Sequence, residues 1–241
     1  MPILRAENLT KKYGGIVAVN NVSLSVDKGE VVGIIGPNGA GKTTLFSLIS
    51  GLEKPDAGRV YLNGEDVTGM KPYHLSRKGL VRTFQIVRPF KSLTVYQNLL
   101  APSTVRGNKL DQAYVDEVLN KLGLAEKKHV PTSLLTHGEL KKLEVARGLA
   151  ANPVLLLLDE PFGGLTVSEI EQVWAVLNGF TKNGGTLVII EHRLRELMKI
   201  VERIVVMDQG RVIFEGLPAE VPKSEEVIRA YLGSPEVLKG G

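Results

Sequence analysis

A glycine-rich segment that follows a short apolar run constrains this chain more than any other feature. The apolar run is 31–35, and the segment after it reads Gly36-Pro37-Asn38-Gly39-Ala40-Gly41-Lys42-Thr43-Thr44. A buried strand that turns through glycines into a helix brings several backbone N–H groups and the positive end of the helix dipole to one point. The lysine adds a cation, and the first threonine adds a hydroxyl that suits Mg²⁺. Residues 36–44 therefore predict a nucleoside triphosphate site within an α/β fold.

Composition excludes several classes of protein. The 241 residues include no cysteine and four scattered histidines, so we expect neither disulfides nor thiolate metal sites. The net charge of +4 comes from basic residues interspersed with acids, which argues against a nucleic-acid partner. The beginning of the chain lacks the order of a signal peptide, and the apolar runs are far shorter than the roughly 20 residues of a membrane span. We expect a chain that does not cross a membrane by itself.

The order of strand and helix signals predicts a mainly parallel sheet with an inserted helical block. Short strands are expected up to residue 35, followed by a helix over 42–51. A strand over 58–63, a short helix over 72–78 and a strand over 80–84 come next, and helical periods without strand signals run from 86 to 151. Strands and helices then alternate again, which is typical of a parallel sheet. The expected later strands are 154–158, 186–190, 203–207 and 211–214, with helices at about 167–182, 193–201 and 224–232.

Two acids follow the apolar strand at 154–158. Asp159 is placed to position Mg²⁺ through water, and Glu160 to polarise an attacking water. The alternative is that the two acids only mark the point where the strand reaches solvent. The glycine-rich segment 36–44, called the phosphate loop from here on, favours the catalytic interpretation.

Three further positions leave two interpretations open on the residues alone. Gln85 and His192 each stand at the end of a predicted strand, where they are either catalytic or simply polar. The segment 135–139 precedes an amphipathic helix expected over 140–150. Thr136 could be its N-cap and Gly138 could allow close backbone approach, so this is either a capped helix or a second phosphate-binding helix terminus.

The order of these motifs resembles the nucleotide-binding domain of ATP-binding cassette (ABC) transporters. It runs from the phosphate loop through Gln85, the segment 135–139 with Lys141 to Arg147, and the segment 155–160 to His192, and so covers nearly the whole chain. The resemblance implies ATP and Mg²⁺ as cofactors, two chains that sandwich each ATP, and integral-membrane permease subunits as partners on the cytoplasmic face of the cell membrane. It also implies roles for individual residues: Tyr13 as the adenine platform, Thr136, Gly138 and Glu139 as contacts to the γ-phosphate in trans, Glu160 as general base, His192 as switch histidine, Gln85 as Mg²⁺ ligand and link to the membrane subunits, and Thr43 and Asp159 as further metal-site residues.

Finer matches resemble the ATP-binding subunits of branched-chain amino acid importers. They include the segments 14–19, 41–46, 82–85 and 230–233. In such systems the subunit does not touch the solute, and it forms a homodimer or pairs with a paralogous ATPase. Two departures stand out. Glu139 adds a negative charge near a phosphate, which is expected to weaken ATP-driven closure, and Thr166 stands where many members of the family have an aspartate.

The resemblance implies one nucleotide-binding domain over 1–241. Residues 1–85 and 152–241 form the α/β core with an N-terminal antiparallel β subdomain, and 86–151 form the helical signature subdomain. The nearest competing interpretation is an ABC ATPase for another solute or an exporter. Two more distant rivals remain. The segments 66–69 and 108–111 match the DxxG and NKxD patterns of GTPases, but neither follows a buried strand, so we expect turn and helix-cap residues there. A soluble ABC ATPase acting on DNA or ribosomes would need a coiled-coil insertion or a tandem cassette, which this sequence lacks.

Overall fold

The computed structural model describes residues 2–103 and 111–231, and these form two β-sheets with helices around them. The larger sheet has the strand order β10-β9-β3-β8-β7-β6, and the smaller one is antiparallel with the order β2-β1-β4-β5. The strands are β1 (Leu4–Tyr13), β2 (Ile16–Val26), β3 (Val31–Ile35), β4 (Ala57–Leu62), β5 (Glu65–Asp66), β6 (Leu80–Arg82), β7 (Leu155–Asp159), β8 (Thr186–Ile190), β9 (Arg203–Asp208) and β10 (Arg211–Gly216).

The larger sheet is parallel from β9 to β6, and β10 is an antiparallel edge strand. Strands β3, β7 and β8 are buried along their whole length. Continuous apolar runs of this kind are typical of strands that are covered on both faces. Parallel strands end at the same edge, so the residues that follow β3, β7 and β8 meet there.

Helices cover both faces of the larger sheet. Those of the segment 86–151 pack with α6 against one face, while α1 and the antiparallel sheet cover the other. The helices are α1 (Lys42–Ile49), α2 (Pro72–Arg77), α3 (Val95–Ser103), α4 (Gln112–Lys121), α5 (His137–Ala150), α6 (Val167–Lys182), α7 (Leu194–Leu197) and α8 (Glu225–Ala230), with short 3-10 helices at Ala125–Lys127, Thr132–Leu134 and Pro218–Lys223.

The two sheets join beside the phosphate loop at a seam formed by Asn20, Ala40 and Gly210. The Gly210 backbone N–H donates to the Ala40 carbonyl over 3.1 Å. The Gly210 carbonyl accepts from the Asn20 N–H over 2.8 Å. The turn between β9 and β10 therefore ties the phosphate loop to β2 of the antiparallel sheet.

The predicted α/β fold with a mainly parallel sheet is confirmed, while several element boundaries differ. Strand β6 ends at Arg82 and not at Phe84, and the helix expected over 193–201 is the single turn Leu194–Leu197. Helix α5 begins at His137, three residues earlier than expected, because Thr136 caps it. In the described ranges, 2–103 and 111–231, every helix is too short or too polar to cross a bilayer.

Candidate active site

The phosphate loop connects β3 to α1 through two glycines, Gly36 and Gly41, at which any side chain would clash with a backbone carbonyl. Gly41, the N-cap of α1, has φ +97°, and a Cβ there would lie 2.2 Å from the Ala18 carbonyl oxygen. A Cβ on Gly36 would lie 2.1 Å from the Met207 carbonyl oxygen. In the described chain, no side chain caps α1 and its first turn carries no acid. The first N–H groups of α1 are therefore left for a ligand.

Lys42 is folded back onto this loop. Its Nζ donates to the Gly36 carbonyl at 2.7 Å and to the Pro37 carbonyl at 2.9 Å, and the residue is only 6% exposed. Burial lowers the pKa of Lys42, whereas the carboxylates of Glu160 and Asp159 act to raise it. The ammonium group thus lies at the loop, where phosphate oxygens can replace the two carbonyls.

One cavity of about 430 Å³ brings most of the predicted site residues together. Its walls come from the antiparallel sheet, the phosphate loop and the ends of β7 and β8. The lining residues are Tyr13, Ala18, Asn38, Gly39, Ala40, Gly41, Lys42, Thr43, Thr44, Gln85, Glu160 and His192.

Three predicted catalytic side chains contact one another in this cavity. The Gln85 amide nitrogen Nε2 donates to Glu160 Oε2 at 2.8 Å, and His192 Nε2 lies 3.0 Å from Glu160 Oε1. Glu160 has φ +50°, a left-handed conformation that is unusual for glutamate. Each carboxylate oxygen of Glu160 thus has one partner, and the group faces the phosphate loop as a general base for water should.

Asp159 lies beside this group but is buried, with 2% of its surface exposed. Its Oδ2 accepts from Arg82 Nη2 at 2.8 Å, and Arg82 Nη1 also donates to Ser47 Oγ on α1 at 3.0 Å. Oδ1 has no hydrogen-bond partner among the residues that the structure describes. A second cavity, of about 600 Å³, is lined by Asp159 together with Thr43 and Gln85.

These residues fit Mg²⁺. Thr43, Gln85 and Asp159 offer a hydroxyl, an amide oxygen and a buried carboxylate oxygen without a partner, and magnesium prefers oxygen ligands. Within residues 2–103 and 111–231, no three His, Cys, Asp or Glu side chains group as a metal site. The donor set therefore suits a cation that arrives with phosphate oxygens and keeps several waters.

The residues at the start of α5 that were predicted to contact phosphate, Thr136, Gly138 and Glu139, do not line the 430 Å³ cavity. Thr136 is the N-cap of α5, and its Oγ1 accepts from the Glu139 N–H at 3.3 Å. The Glu139 carboxylate accepts in return from the Thr136 N–H at 2.8 Å and pairs with Lys127 at 2.5 Å. The capped-helix interpretation of 135–139 is thus correct for the single chain, and Gly138 on the first turn packs against α6.

Tyr13 lies at the end of β1 on the rim of the cavity, where it is exposed. Its hydroxyl donates to the Glu53 carboxylate. Burial and the nearby Glu53 raise the pKa of Tyr13 to about 12, so the ring is neutral near pH 7. An exposed neutral ring at this rim can stack on a nucleotide base.

Two buried charges that sequence reasoning missed support the catalytic loops. Glu191 accepts from the backbone N–H groups of Phe162, His192 and Arg193 at 2.6, 2.9 and 3.2 Å. Burial raises the pKa of Glu191, and these three hydrogen bonds oppose that shift. Lys141 contacts backbone carbonyls at the site. The sequence signal for Glu191 was its position directly after the apolar run 187–190.

The described residues of the two GTPase patterns lie apart from the site. Asp66 pairs with Arg59 and accepts from the Thr68 N–H, while Asp111 is the N-cap of α4. Both are thus the turn and cap residues that the sequence predicted. The rest of the NKxD pattern, 108–110, lies outside the described residues.

Comparison with known proteins agrees with this geometry. The ABC transporter family model matches residues 19–163. The chain belongs to the ABC transporter family of ATP-binding subunits. A second model, of branched-chain amino acid ATP-binding cassette transporters, matches residues 211–237. As a member of this family the chain is an ATPase, and its role is that of the nucleotide-binding subunit of a membrane transporter.

Two curated relatives align over nearly the whole chain. The high-affinity branched-chain amino acid transport ATP-binding protein BraF of Pseudomonas aeruginosa is 36% identical over 96% of this chain and 98% of that protein. The lipopolysaccharide export system ATP-binding protein LptB of Haemophilus influenzae is also 36% identical, over 97% of this chain and 98% of that protein. Identity alone therefore does not separate an importer from an exporter.

Solved structures show the same fold. A nucleotide-free ATP-binding cassette from an ABC transporter has a TM-score of 0.87 at 33% identity, and one in the ADP conformation has 0.86 at 34%; each alignment covers 97% of this chain and 100% of the other. A dimeric cassette bound to ADP and phosphate has a TM-score of 0.78 at 27% identity, over 89% of this chain and 98% of that one.

Proposed function

We propose that this ABC ATPase energises an importer for branched-chain or other hydrophobic amino acids by hydrolysing MgATP at the cytoplasmic face of the membrane. The contact of Gln85 and His192 with Glu160, opposite the phosphate loop, carries the hydrolytic part of the proposal. Lys42 and the amides of 39–44 hold the phosphates, Tyr13 stacks on adenine, and Thr43, Gln85 and Asp159 hold Mg²⁺. The metal stabilises the charge that develops on the phosphate oxygens.

Glu160 is the proposed base. It accepts a proton from water, while Gln85 orients that water and His192 contacts the γ-phosphate. Replacing Glu160 by Gln preserves the shape of the side chain but exchanges one carboxylate oxygen for an amide nitrogen and removes the base. We expect the rate of ATP hydrolysis to fall by about 100-fold or more with MgATP affinity unchanged. Turnover near the wild-type rate in the Glu160→Gln protein would remove Glu160 from this role.

The start of α5 supports action as a dimer. Thr136, Gly138 and Glu139 lie outside the cavity of their own chain, so we infer that they contact the γ-phosphate bound by a second chain, either a copy or a paralogous ATPase. The mass of the Glu160→Gln protein in solution tests this. An MgATP-specific dimer is expected, a monomer that binds ATP would require a different partner, and preference for MgGTP would contradict the ATP assignment.

Membrane permease subunits are the proposed partners, and the groove beside Gln85 is their proposed docking site. It is the 600 Å³ cavity, which lies between the sheet edge and the helical segment 86–151, and exposed Phe84 and Ile86 line it. A domain organisation with a core of 1–85 and 152–241 and a helical subdomain of 86–151 would let this groove move with α5. No solute-binding or nucleic-acid-binding role is proposed for this chain.

The branched-chain substrate is favoured by the match of the C-terminal segment 211–237. An exporter is the second candidate, since LptB is equally similar. Uptake of labelled leucine into membrane vesicles that contain the whole transporter separates the two. We expect ATP-dependent uptake that Glu160→Gln abolishes; retained hydrolysis without leucine uptake would leave the ATPase assignment intact and contradict the substrate.

A further inference from the structure

Lys141 joins the helical segment to both catalytic loops. It lies one turn into α5, only 5% exposed, and its Nζ donates to the Gln85 carbonyl at 2.7 Å and to the Glu160 carbonyl at 3.0 Å. The side chains of Gln85 and Glu160 also contact each other. The two loops are therefore held together twice, once by their own side chains and once by a lysine from a different part of the chain.

A buried ammonium group is costly, and packing alone does not require one at this position. An apolar side chain of similar length would fill the same space without desolvating a charge. Burial lowers the pKa of Lys141, and the nearby carboxylates of Glu160, Glu191, Asp159 and Glu144 act against that shift. Lys141 Nζ thus lies within hydrogen-bond distance of backbone carbonyls in two different loops, and such a contact fixes the position of one loop relative to the other.

One backbone segment that Lys141 contacts, at Glu160, has an unfavourable conformation. Glu160 has φ +50°, a region that is unfavourable for a non-glycine residue, and the direction of its carbonyl follows from that conformation. The Glu160 N–H is bonded to the Ile190 carbonyl, so the peptide is held on both sides. The Glu160 carbonyl also accepts from the Gly163 N–H, but at a longer 3.4 Å, so without the lysine it loses the shorter of these two hydrogen bonds.

We propose that Lys141 is a positioning residue for ATP hydrolysis, which transmits the position of α5 to the Glu160 carboxylate and the Gln85 side chain. This rests on the proposed roles of Glu160 and Gln85. Since α5 begins with the residues assigned to the second chain's phosphate, the lysine connects closure at that end to the group that activates water. Lys141 itself does not line the 430 Å³ cavity.

Lys142 is the matched control. It is the next residue of α5 and is 6% exposed, but its Nζ faces α6, with Gln172 Oε1 at 3.4 Å and Glu169 Oε1 at 3.7 Å. Lys141→Met and Lys142→Met each remove one buried ammonium group from the same helix. Steady-state hydrolysis, MgATP affinity and thermal unfolding are measured on both full-length proteins, with Lys141→Arg as the conservative variant.

We expect Lys141→Met to lower kcat by about tenfold or more, with KM and MgATP affinity changed less than about twofold. Lys142→Met should keep kcat within about threefold at a comparable loss of thermal stability, and Lys141→Arg should recover most of the rate. Equal rate losses in the two methionine variants, or a normal kcat in Lys141→Met, would overturn the proposal. If Lys141→Met does not fold, Lys141→Gln replaces it, with the same criteria applied.

The Glu160→Gln background separates this inference from the proposed function. If Lys141 acts through Glu160 and Gln85, Lys141→Met should lower the residual single-turnover rate of a Glu160→Gln, Gln85→Ala double variant by less than about twofold; a further tenfold loss would mean that it acts elsewhere and would overturn the proposal. A Glu160→Gln protein with normal turnover refutes the base assignment. If Glu160→Gln strongly lowers the rate of ATP hydrolysis while Lys141→Met leaves it unchanged, only the role of Lys141 is refuted.

Discussion

The N-termini of α1 and α5 are both assigned to phosphate, yet they are built in opposite ways. At α1 the N-cap is Gly41, with no side-chain cap and no acid in the first turn within the described chain. At α5, Thr136 and Glu139 form a reciprocal capping box that uses two of the amide groups of that terminus. One terminus is left open to a ligand, while the other is closed by its own side chains.

The difference separates a binding site from a contact surface. The open terminus of α1 supplies donors that only a ligand or water can satisfy, so its free energy depends on occupancy. The terminus of α5 is closed by its own capping box, and in the proposed dimer it would present this formed surface to a second nucleotide. A site shared by two chains needs one side that binds first and one side that is already folded.

The largest expected effect comes from removing the cation of the open terminus. Lys42→Ala loses the charge-assisted contacts to phosphate, and we expect MgATP binding to weaken by about 100-fold. Equilibrium binding measures it, with Lys182→Ala at the exposed end of α6 as the control. Unchanged affinity in Lys42→Ala would mean that α1 is not the primary phosphate site.

The backbone of the open terminus is the next test. Gly41→Ala places a Cβ 2.2 Å from the Ala18 carbonyl oxygen, whereas a Cβ on Gly39 meets nothing within 4 Å; both glycines have positive φ. We expect Gly41→Ala to lower the free energy of unfolding by about 3 kcal/mol and Gly39→Ala by about 1 kcal/mol. Urea denaturation measures both, and equal losses would show that the close approach to Ala18 does not matter.

The smallest effect is expected at the closed terminus. Burial acts to raise the pKa of Glu139, but hydrogen bonds from Lys127 and the Thr136 backbone outweigh it, so the pKa lies below its usual 4.5. The ionised form therefore stabilises the fold near neutral pH, and this contribution is lost as the pH falls through the lowered pKa. Glu139→Gln removes that acid dependence.

Glutamine can keep the capping box, so Glu139→Gln should cost only about 0.5 kcal/mol at pH 7. Removal of a negative charge near the second chain's phosphate should strengthen MgATP-driven dimerisation of the Glu160→Gln protein by about threefold. Dimerisation that weakens instead would mean that the carboxylate, and not its amide, is needed at this interface. Sedimentation at several protein concentrations provides the measurement.

The sequence predicted the parts of the site that depend on local order along the chain. Each of these parts stands at or shortly after the end of a strand, and parallel strands bring such residues to one edge of the sheet. They are the phosphate loop, Gln85, Asp159, Glu160 and His192. The structure does bring Gln85, Glu160 and His192 into contact at the phosphate loop. Their chemical roles remain predictions.

The missing parts depend on contacts between distant segments. The pairing of Arg82 with Asp159 spans 77 residues, and the bond of Lys141 to Gln85 spans 56. A buried lysine on an amphipathic helix looks in sequence like an exposed one, so periodicity gives no warning. The start of α5 was misjudged for a different and local reason, because the capping box of Thr136 and Glu139 places it at His137.

Through the seam formed by Asn20, Ala40 and Gly210, a bound nucleotide is expected to restrain residues that it does not contact. Gly210 links the phosphate loop to β2 through two backbone hydrogen bonds. A ligand that rigidifies residue 40 therefore also restrains the turn between β9 and β10 and the neighbouring strand of the other sheet. The amide hydrogens of Asn20 and Gly210 will exchange with solvent more slowly when phosphate is bound, although neither residue lines the cavity.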